Sequence, residues 1–521
     1  MKTSPFTKTE LCLFLLFIVI GLSSILAHEI WRDEFQAFLI AKESVSLTDM
    51  FQRMQYEGHP PLWHLLLYGI TRFSGSPLSM QLLHLAIACI SAYLILRFPL
   101  PKPERYLLAF GYFPLYEYLA ISRNYAPGFL LSILLTYLLL SERRHYFWIA
   151  VVMFLLCLCN VYGIIISVSV TAYLLVEYID RLRNQAGAIR KEAVMAGTVI
   201  LVAGIALSVM AIAPPKNGYV ELPVCMPLEW DFRRCSEAVK IIWRSYIPIP
   251  AFQMHFWDTS FFEIRLLRPL LSPVFIAISM ACFFPKKRIL FLYCFGTLAM
   301  LAFSYFVYVG SLRHFGHAYV LFLMCMVLYS ATERCGENKF RFFSERTGRK
   351  FILFILTAQV IAAGTATFLG WVYPFTAGKA VAAYIRSLPG DYVLVGDRDW
   401  AMTTISGYLG KPIYQLVIQR DGTYISWNDE RAEILAPFEI VNMANKISAD
   451  KQKTIIVILN YELEPEDEDN LVKLKSFTRS ILPDECFYLY MIAPEHARHT
   501  APTTSDIMQR CLKKTGATVL K

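Results

Sequence analysis

Long apolar blocks recur along most of this chain, and each is about as long as a bilayer is thick. A transmembrane helix needs roughly 20 apolar residues, and the blocks run from residue 11 to residue 372 with polar segments between them. The pattern predicts a polytopic α-helical membrane protein with about eleven spans. Their boundaries are expected near 11–27, 78–97, 105–121, 126–140, 146–161, 163–179, 193–213, 269–284, 289–309, 315–332 and 351–372.

The first polar region contains apolar pieces that are too short to cross a bilayer. Residues 35–41 form an amphipathic stretch of the kind that lies along a membrane interface. A second piece, 59–73, has Pro60 and Pro61 at its start, where proline suits the first turn of a helix. We expect juxtamembrane or re-entrant helices in this region.

The polar C-terminal part of the chain has a different periodicity. Helical patterns at 400–410 and 428–447 alternate with strand patterns at 392–396, 413–417, 454–460 and 487–492. This alternation predicts a small α/β domain with its own core. No GxGxxG or P-loop sequence accompanies the strands, so nucleotide binding is not indicated.

Two domains are therefore expected. The first, 1–373, is a transmembrane domain with outer loops at 28–77 and 214–268, and the second, 374–521, is the α/β domain. The first apolar block is interpreted as a retained helix with its N-terminus inside, because many further apolar blocks follow it. With an odd number of spans, the α/β domain is expected on the extracytoplasmic side.

Composition and charge support a membrane location. Of the 521 residues, 56% are hydrophobic and only 17% are charged, whereas soluble chains carry about 25% charged residues. The net charge of +9 resides largely in short basic segments between apolar blocks, which is typical of cytoplasmic loops. We therefore predict a multi-pass protein of the inner or plasma membrane, with the lipid bilayer as a partner and no nucleic-acid partner.

Cysteine positions suggest different environments along the chain. Seven cysteines fall in apolar blocks, where cysteine behaves as a small hydrophobic residue. The pairs Cys225–Cys235 and Cys486–Cys511 each share a polar region, so two disulfides are consistent with an oxidising compartment but stay open. No CxxC or Cys/His spacing predicts a structural zinc site.

Two polar motifs lie in the first outer loop. Asp33 and Glu34 form an acidic pair after the first span, suited to a general base or a metal ligand, with Asp33 as a cap of a helix beginning at Glu34 as the alternative. His59 precedes the two prolines, where it could donate to an anionic group at a helix start. A turn without chemistry is the alternative for His59.

Two further motifs are cationic and fall on the same predicted side. Ser122-Arg123-Asn124-Tyr125 places an arginine in a short outer loop, either to bind a phosphate or to reach lipid headgroups. Arg313, His314 and His317 cluster near the end of a later span. Together the four motifs predict one outer cavity in which a carboxylate accepts the proton of an acceptor hydroxyl while cations stabilise a departing lipid phosphate.

These motifs resemble those of the GT-C glycosyltransferases, in particular the branch of protein mannosyltransferases and aminoarabinose transferases. The resemblance covers about residues 10–140. The matching residues are Asp33-Glu34, His59-Pro60-Pro61-Leu62-Trp63, Phe73-Ser74-Gly75 and Ser122-Arg123-Asn124-Tyr125.

The resemblance implies an inverting transferase that moves a sugar from a polyprenyl-phosphate donor to an extracytoplasmic acceptor, such as a glycolipid, a cell-wall glycan or a protein. It implies Asp33 as the base or acceptor-positioning carboxylate with Glu34 beside it, and His59 and Arg123 at the donor phosphate. Tyr125 belongs to the same motif, while Arg313 and His314 are assigned to the phosphate by their chemistry alone. No cofactor is certain, and the need for a divalent metal ion stays open.

Two other classes remain in view. A transporter or flippase would line a pathway with charged or broken helices near the middle of the membrane, and this sequence concentrates its charges at one interface instead. A ligase or polymerase of surface glycans also uses outer Arg and His groups, but it would lack the acidic pair and the His-Pro-Pro segment. The sugar, the acceptor and the oligomeric state cannot be read from the sequence.

Overall fold

A computed structural model describes residues 6–141, 145–184, 191–218, 231–262, 268–333, 345–431, 434–464 and 471–493. The chain divides into two compact units. The helical unit comprises Met1–His28, Ser44–Pro215 and Glu221–Trp371, and the mixed unit comprises Glu29–Glu43, Lys216–Val220 and Val372–Lys521.

The helical unit consists of α-helices, which are numbered here along the whole chain. They are α1 Lys8–Ala27, α3 Leu47–Met54, α4 Leu62–Thr71, α5 Pro77–Ile95, α6 Lys102–Ala109, α7 Tyr125–Leu140, α8 Tyr146–Cys157, α9 Val161–Arg183, α10 Lys191–Ile212, α11 Phe232–Tyr246, α12 Arg268–Phe283, α13 Lys287–Phe306, α14 Leu312–Glu333 and α15 Glu345–Val372. The short helices α3 and α4 lie in the predicted first outer loop.

Seven of these helices are long and apolar enough to cross a membrane: α1, α5, α9, α10, α13, α14 and α15. Large apolar side chains on α1, such as Leu15, Leu16 and Val19, are exposed. In a bilayer those side chains face lipid. The chain is thus an integral, multi-pass membrane protein. In the described part of the chain, four further apolar helices, α4, α7, α8 and α12, are shorter, and the number of spans stays a prediction.

The expected continuous span at 105–121 does not form. Instead α6 ends at Ala109, and a short π-helical turn covers Phe113–Glu117. Pro114 lies in that turn and has no backbone N–H to donate, while Gly111 just before it costs backbone entropy in a helix. The two residues together break the helix and leave a compact, buried turn before α7.

Two helices of the predicted outer loops contact distant parts of the chain. α4 begins at Leu62, directly after the two prolines, and the Leu62 backbone N–H donates to the carbonyl of Leu158 at 3.0 Å. In the loop predicted at 214–268, α11 forms an amphipathic helix whose N-terminus is capped by the Asp231 carboxylate. The Gln359 amide on α15 donates to the Ser245 carbonyl near the end of α11.

The mixed unit contains the predicted α/β domain. Its helices are α2 Arg32–Glu43, α16 Gly378–Ser387, α17 Asp399–Leu409 and α18 Pro437–Lys451. Its strands are β1 Tyr392–Gly396, β2 Ile413–Gln415, β3 Arg420–Gly422, β4 Thr454–Leu459, β5 Val472–Phe477 and β6 Phe487–Ile492. They form one sheet in the order β3-β2-β1-β4-β6-β5. β1 runs parallel to β2 and β4, and the remaining pairs are antiparallel.

Both faces of this sheet are buried, as the apolar central strands require. One face packs Leu394 and Ile456 against apolar side chains of α16 and α17. The other face packs Val395 and Val457 against α18. β5 lies at one edge of the sheet, and its alternating Lys473 and Lys475 are typical of an edge strand.

The polar segment after α1 contributes α2 to the mixed unit. The side-chain amide of Gln36 donates to the Ile425 carbonyl and accepts from the Ile425 N–H, at 2.8 and 2.9 Å. A Cβ on Gly407 of α17 would collide with the Phe35 ring, so these two helices pack closely. Contacts between residues so distant in sequence are not visible in the hydrophobic pattern.

Predicted elements of the mixed unit differ from the observed ones in two respects. The helix expected at 428–447 begins only at Pro437, because proline favours the first turn and is disfavoured later in a helix. The short strands β3 and β5 and the helix α16 were not predicted.

Each predicted disulfide includes one cysteine, Cys225 or Cys511, that lies outside the described residues, so both disulfides stay predictions.

Candidate active site

The acidic pair lies at the start of α2 in the mixed unit. This helix begins at Arg32, two residues before the sequence-based alternative, and the Glu34 carboxylate accepts from the Trp31 N–H at 3.3 Å. Glu34, which is fully buried, therefore caps the helix, and Asp33 does not. The Asp33 side chain is 27% exposed and lies 3.8 Å from the Arg32 guanidinium.

Arg32 links the start of α2 to the segment just before β6. Its guanidinium lies 2.6 Å from the Asp484 carboxylate and over the Trp400 ring, and its backbone N–H donates to Glu485 at 3.1 Å. The Thr404 hydroxyl also donates to Glu485, at 2.9 Å. Burial raises the pKa of Glu485 to about 7, while the nearby Arg32 charge acts in the opposite direction. This cluster sets the position of the residues that follow Arg32.

His59 lies in a tight turn before α4 in the helical unit. Gly58 has a positive φ of 62°, which favours glycine. The Nδ1 atom of His59 is 2.6 Å from the Glu57 carbonyl, so Nδ1 donates and the hydrogen bond fixes the tautomer of the ring. The turn and the imidazole orientation are therefore parts of one local structure.

The Ser122-Arg123-Asn124-Tyr125 motif forms a buried turn that is held by its neighbours. His84 of α5 donates from Nδ1 to the Leu119 carbonyl at 2.8 Å, and its Nε2 accepts from the Arg123 N–H at 3.2 Å. The Asn124 amide donates to the Cys159 carbonyl at 2.9 Å. These contacts fix the backbone on both sides of the arginine.

His314 connects this turn to the start of α14. The Ser311 backbone N–H donates to Nδ1 of His314 at 2.9 Å, so the hydrogen of this neutral ring is on Nε2. Nε2 of His314 lies 2.8 Å from the Tyr125 hydroxyl and donates to its oxygen. The hydroxyl hydrogen of Tyr125 then remains as a donor. The Tyr162 ring stacks on His317 at 4.8 Å.

Arg313 is positioned by the loop before α12. Its guanidinium lies over the Trp257 ring, 5.0 Å from the centroid, and the Trp257 indole donates to the buried Glu117 carboxylate at 3.1 Å. The adjacent Asp258 carboxylate accepts from the Leu312 N–H at 2.8 Å, at the first residue of α14. The sequence did not single out these two acids, because their partners are far along the chain.

Within the helical unit, five predicted residues converge: His59, Arg123, Tyr125, Arg313 and His314. Tyr125 contacts His314 directly, and the charges of Arg313, Arg123 and His59 all act on His314. Asp33 and Glu34 belong to the mixed unit. Residues that the sequence did not assign are His84, which holds the Arg123 backbone, and Trp257, which supports Arg313. Among the residues that the structure describes, no group of three or more His, Cys, Asp or Glu side chains is arranged to hold a metal ion.

The arrangement defines a polytopic membrane protein with a cationic cluster suited to an anionic ligand. Two crystal structures of ArnT from Cupriavidus metallidurans, one bound to undecaprenyl phosphate and one in the apo state, are similar to this chain. Each has a TM-score of 0.48 and 12% sequence identity, and each alignment covers 92% of this chain and 97% of ArnT. No family model matches the sequence, and neither does any curated protein.

Proposed function

We propose that this protein is a GT-C-type glycosyltransferase that moves a sugar from a polyprenyl-phosphate donor to an extracytoplasmic acceptor. The observation that carries the proposal is the hydrogen bond between Tyr125 and His314, which joins two motifs that are 189 residues apart. The electrostatic action of Arg313, Arg123 and His59 on His314 supports the same grouping. Such a cluster suits the phosphate of a lipid-linked sugar.

The proposed reaction is a displacement at the anomeric carbon with inversion. The acceptor hydroxyl oxygen forms a bond to that carbon, the bond from the carbon to the phosphate oxygen breaks, and the electron pair leaves with the prenyl phosphate. Negative charge increases on the departing phosphate, so fixed arginines and hydrogen-bond donors stabilise the transition state more than the ground state. His59, Arg123, Tyr125, Arg313 and His314 form the proposed phosphate site.

The acceptor proton is assigned to Asp33, with Glu34 as its buried neighbour. This assignment rests on the sequence resemblance, and the partial exposure of the Asp33 carboxylate is compatible with it. The acceptor is a glycolipid, a cell-wall glycan or a protein, and we propose that the outer loop 214–268 and the C-terminal domain 374–521 shape its access. The whole reaction is assigned to the extracytoplasmic side.

The test is turnover by the purified full-length protein in detergent. It is incubated with polyprenyl-phosphate sugars and a membrane-derived acceptor fraction, and the release of prenyl phosphate is measured. Asp33→Asn is expected to abolish release while the unfolding temperature stays unchanged, and Arg123→Ala is expected to weaken donor binding. Asp49→Asn, at a half-buried carboxylate of α3 that pairs with Arg53, is the matched carboxylate control and should keep full activity.

Two outcomes would contradict the proposal. If the wild-type protein releases no prenyl phosphate from any donor and binds none of them, the transferase assignment fails. If Asp33→Asn retains wild-type turnover, Asp33 is not the base. Addition of EDTA in a parallel reaction settles whether a divalent metal ion is required.

A further inference from the structure

His64 is a buried histidine of α4 whose ring has no hydrogen-bond partner. The residue is only 3% exposed, and neither Nδ1 nor Nε2 is hydrogen-bonded to any residue that the structure describes. A neutral imidazole carries one donor and one acceptor, and burying both without partners is unfavourable. The position therefore calls for a partner other than the surrounding protein.

The neighbouring histidine on α5 shows the contrast. His84 is fully buried and contacts Trp63, the residue next to His64, with ring centroids 5.7 Å apart. Both of its ring nitrogens are used, by the Leu119 carbonyl and the Arg123 N–H. A buried histidine in this part of the unit can thus be fully satisfied by protein groups, and His64 is not.

The charged groups that act on His64 are those of the proposed phosphate site. His59 and Arg123 both exert a positive electrostatic effect on its ring. An imidazole on which such positive groups act is poorly placed to bind a cation and well placed to donate to an anion. The chemistry of its ligand is therefore that of a phosphate oxygen.

Polar atoms on two segments linked to α4 also lack protein partners. In the described part of the chain, the Asn124 carbonyl oxygen, the Asn160 amide nitrogen and the Tyr162 hydroxyl are buried without a hydrogen bond. Their segments are tied to α4, because Leu62 N–H donates to Leu158 and Asn124 donates to Cys159. The segments that carry these unpartnered atoms are therefore linked to the start of α4, the helix that carries His64.

We propose that His64 donates a hydrogen bond to the donor phosphate, beside Arg123 and His59. This inference rests on the proposed function and adds a binding residue to the same site. No covalent step involves His64, so it is a binding residue rather than an acid or base.

The experiment measures binding and stability on the same full-length variants in detergent. Undecaprenyl phosphate, undecaprenol and inorganic phosphate serve as separate probes. His64→Phe keeps an aromatic ring but removes both nitrogens, and it should weaken binding of undecaprenyl phosphate about 10- to 100-fold, the effect of one hydrogen bond to a charged group. Undecaprenol binding should not change, because the alcohol has no phosphate.

Stability separates a binding function from a structural one. Without ligand, His64→Phe should unfold at the wild-type temperature or above it, because no hydrogen bond to protein is lost. His84→Phe should lower the unfolding temperature, because two buried hydrogen bonds are lost. His145→Phe, at the exposed start of α8, is the control for histidine removal and should change neither property.

Three results would overturn the inference. One is that His64→Phe binds undecaprenyl phosphate as tightly as wild type, and another is that it destabilises the ligand-free protein as much as His84→Phe does. The third is that His64→Phe loses binding of inorganic phosphate but still binds undecaprenyl phosphate, which would assign His64 to a free phosphate ion. Failure of the wild-type protein to bind undecaprenyl phosphate would instead refute the proposed function, so the two failures are distinguishable.

Discussion

Replacing Tyr125 by phenylalanine tests the contact that joins the two cationic motifs. The change removes one oxygen atom, which accepts from Nε2 of His314 at 2.8 Å. Tyr125 and His314 are 4% and 9% exposed, so water cannot readily take its place. A buried donor left without a partner costs about 1–3 kcal/mol, which corresponds to about a 5- to 150-fold change in an equilibrium or rate constant.

The assay measures donor binding and turnover by Tyr125→Phe in detergent. The unpaired Nε2 should lower the free energy of unfolding by that amount. Because His314 is also held through Nδ1 by Ser311, its ring should stay close to its place, so donor binding should fall through the loss of the tyrosine hydroxyl. Tyr137→Phe is the matched control. It removes the same atom from the other end of α7, where the hydroxyl donates to the Leu94 carbonyl, and it should leave donor binding unchanged.

A double-mutant cycle gives the sharper result. If the two side chains act through their mutual hydrogen bond, the effects of Tyr125→Phe and His314→Phe on donor affinity should not add, because either change alone already removes the bond. Additive effects, or equal effects of Tyr125→Phe and Tyr137→Phe, would refute the view that this contact organises the site.

Two further predictions concern stability. Gly316→Ala should lower the free energy of unfolding by about 1–3 kcal/mol, because its Cβ would collide with a tyrosine hydroxyl and a phenylalanine ring, whereas Gly364→Ala, with open space around its Cβ, should not destabilise the protein. Thermal unfolding in detergent compares them. Burial raises the pKa of Glu485 to about 7, so the stability it contributes is complete below its ordinary value of 4.5 and is lost as pH rises through about 7. The unfolding temperature of Glu485→Gln should therefore rise relative to wild type between about pH 5 and about pH 8, and a constant difference would contradict this.

Elements with strong apolar patterns were predictable from the sequence. The strands β1 and β6 coincide with the predicted ranges, and the apolar residues of β1 are bounded by Asp391 and Asp397. The long helices were also predictable, because their apolar composition alone distinguishes them from the polar segments between them. The interruption at Gly111 and Pro114 was not predicted, since apolar composition continues through it and hides the break in backbone hydrogen bonding.

The site was predictable only as a set of separate motifs. Cationic residues at the ends of apolar blocks are visible in a sequence, because charge there is costly. The contacts that hold these cationic residues in place are not visible in the sequence. The Trp257 indole and the Glu117 carboxylate are 140 residues apart, and Arg32 and Glu485 are 453 residues apart. No local periodicity encodes such pairs, so their positions follow only from the packed fold.

The histidines of the helical unit differ in what their contacts leave them able to do. His314 uses both ring nitrogens, one toward Ser311 and one toward Tyr125, so it has no hydrogen left to donate to a phosphate. By accepting from His314, however, the Tyr125 oxygen leaves its own hydrogen to point elsewhere. His314 is therefore better understood as the residue that orients Tyr125, with the tyrosine hydroxyl as the donor to the phosphate. His64, whose nitrogens are both unused by the described protein, keeps the capacity to bind the ligand directly.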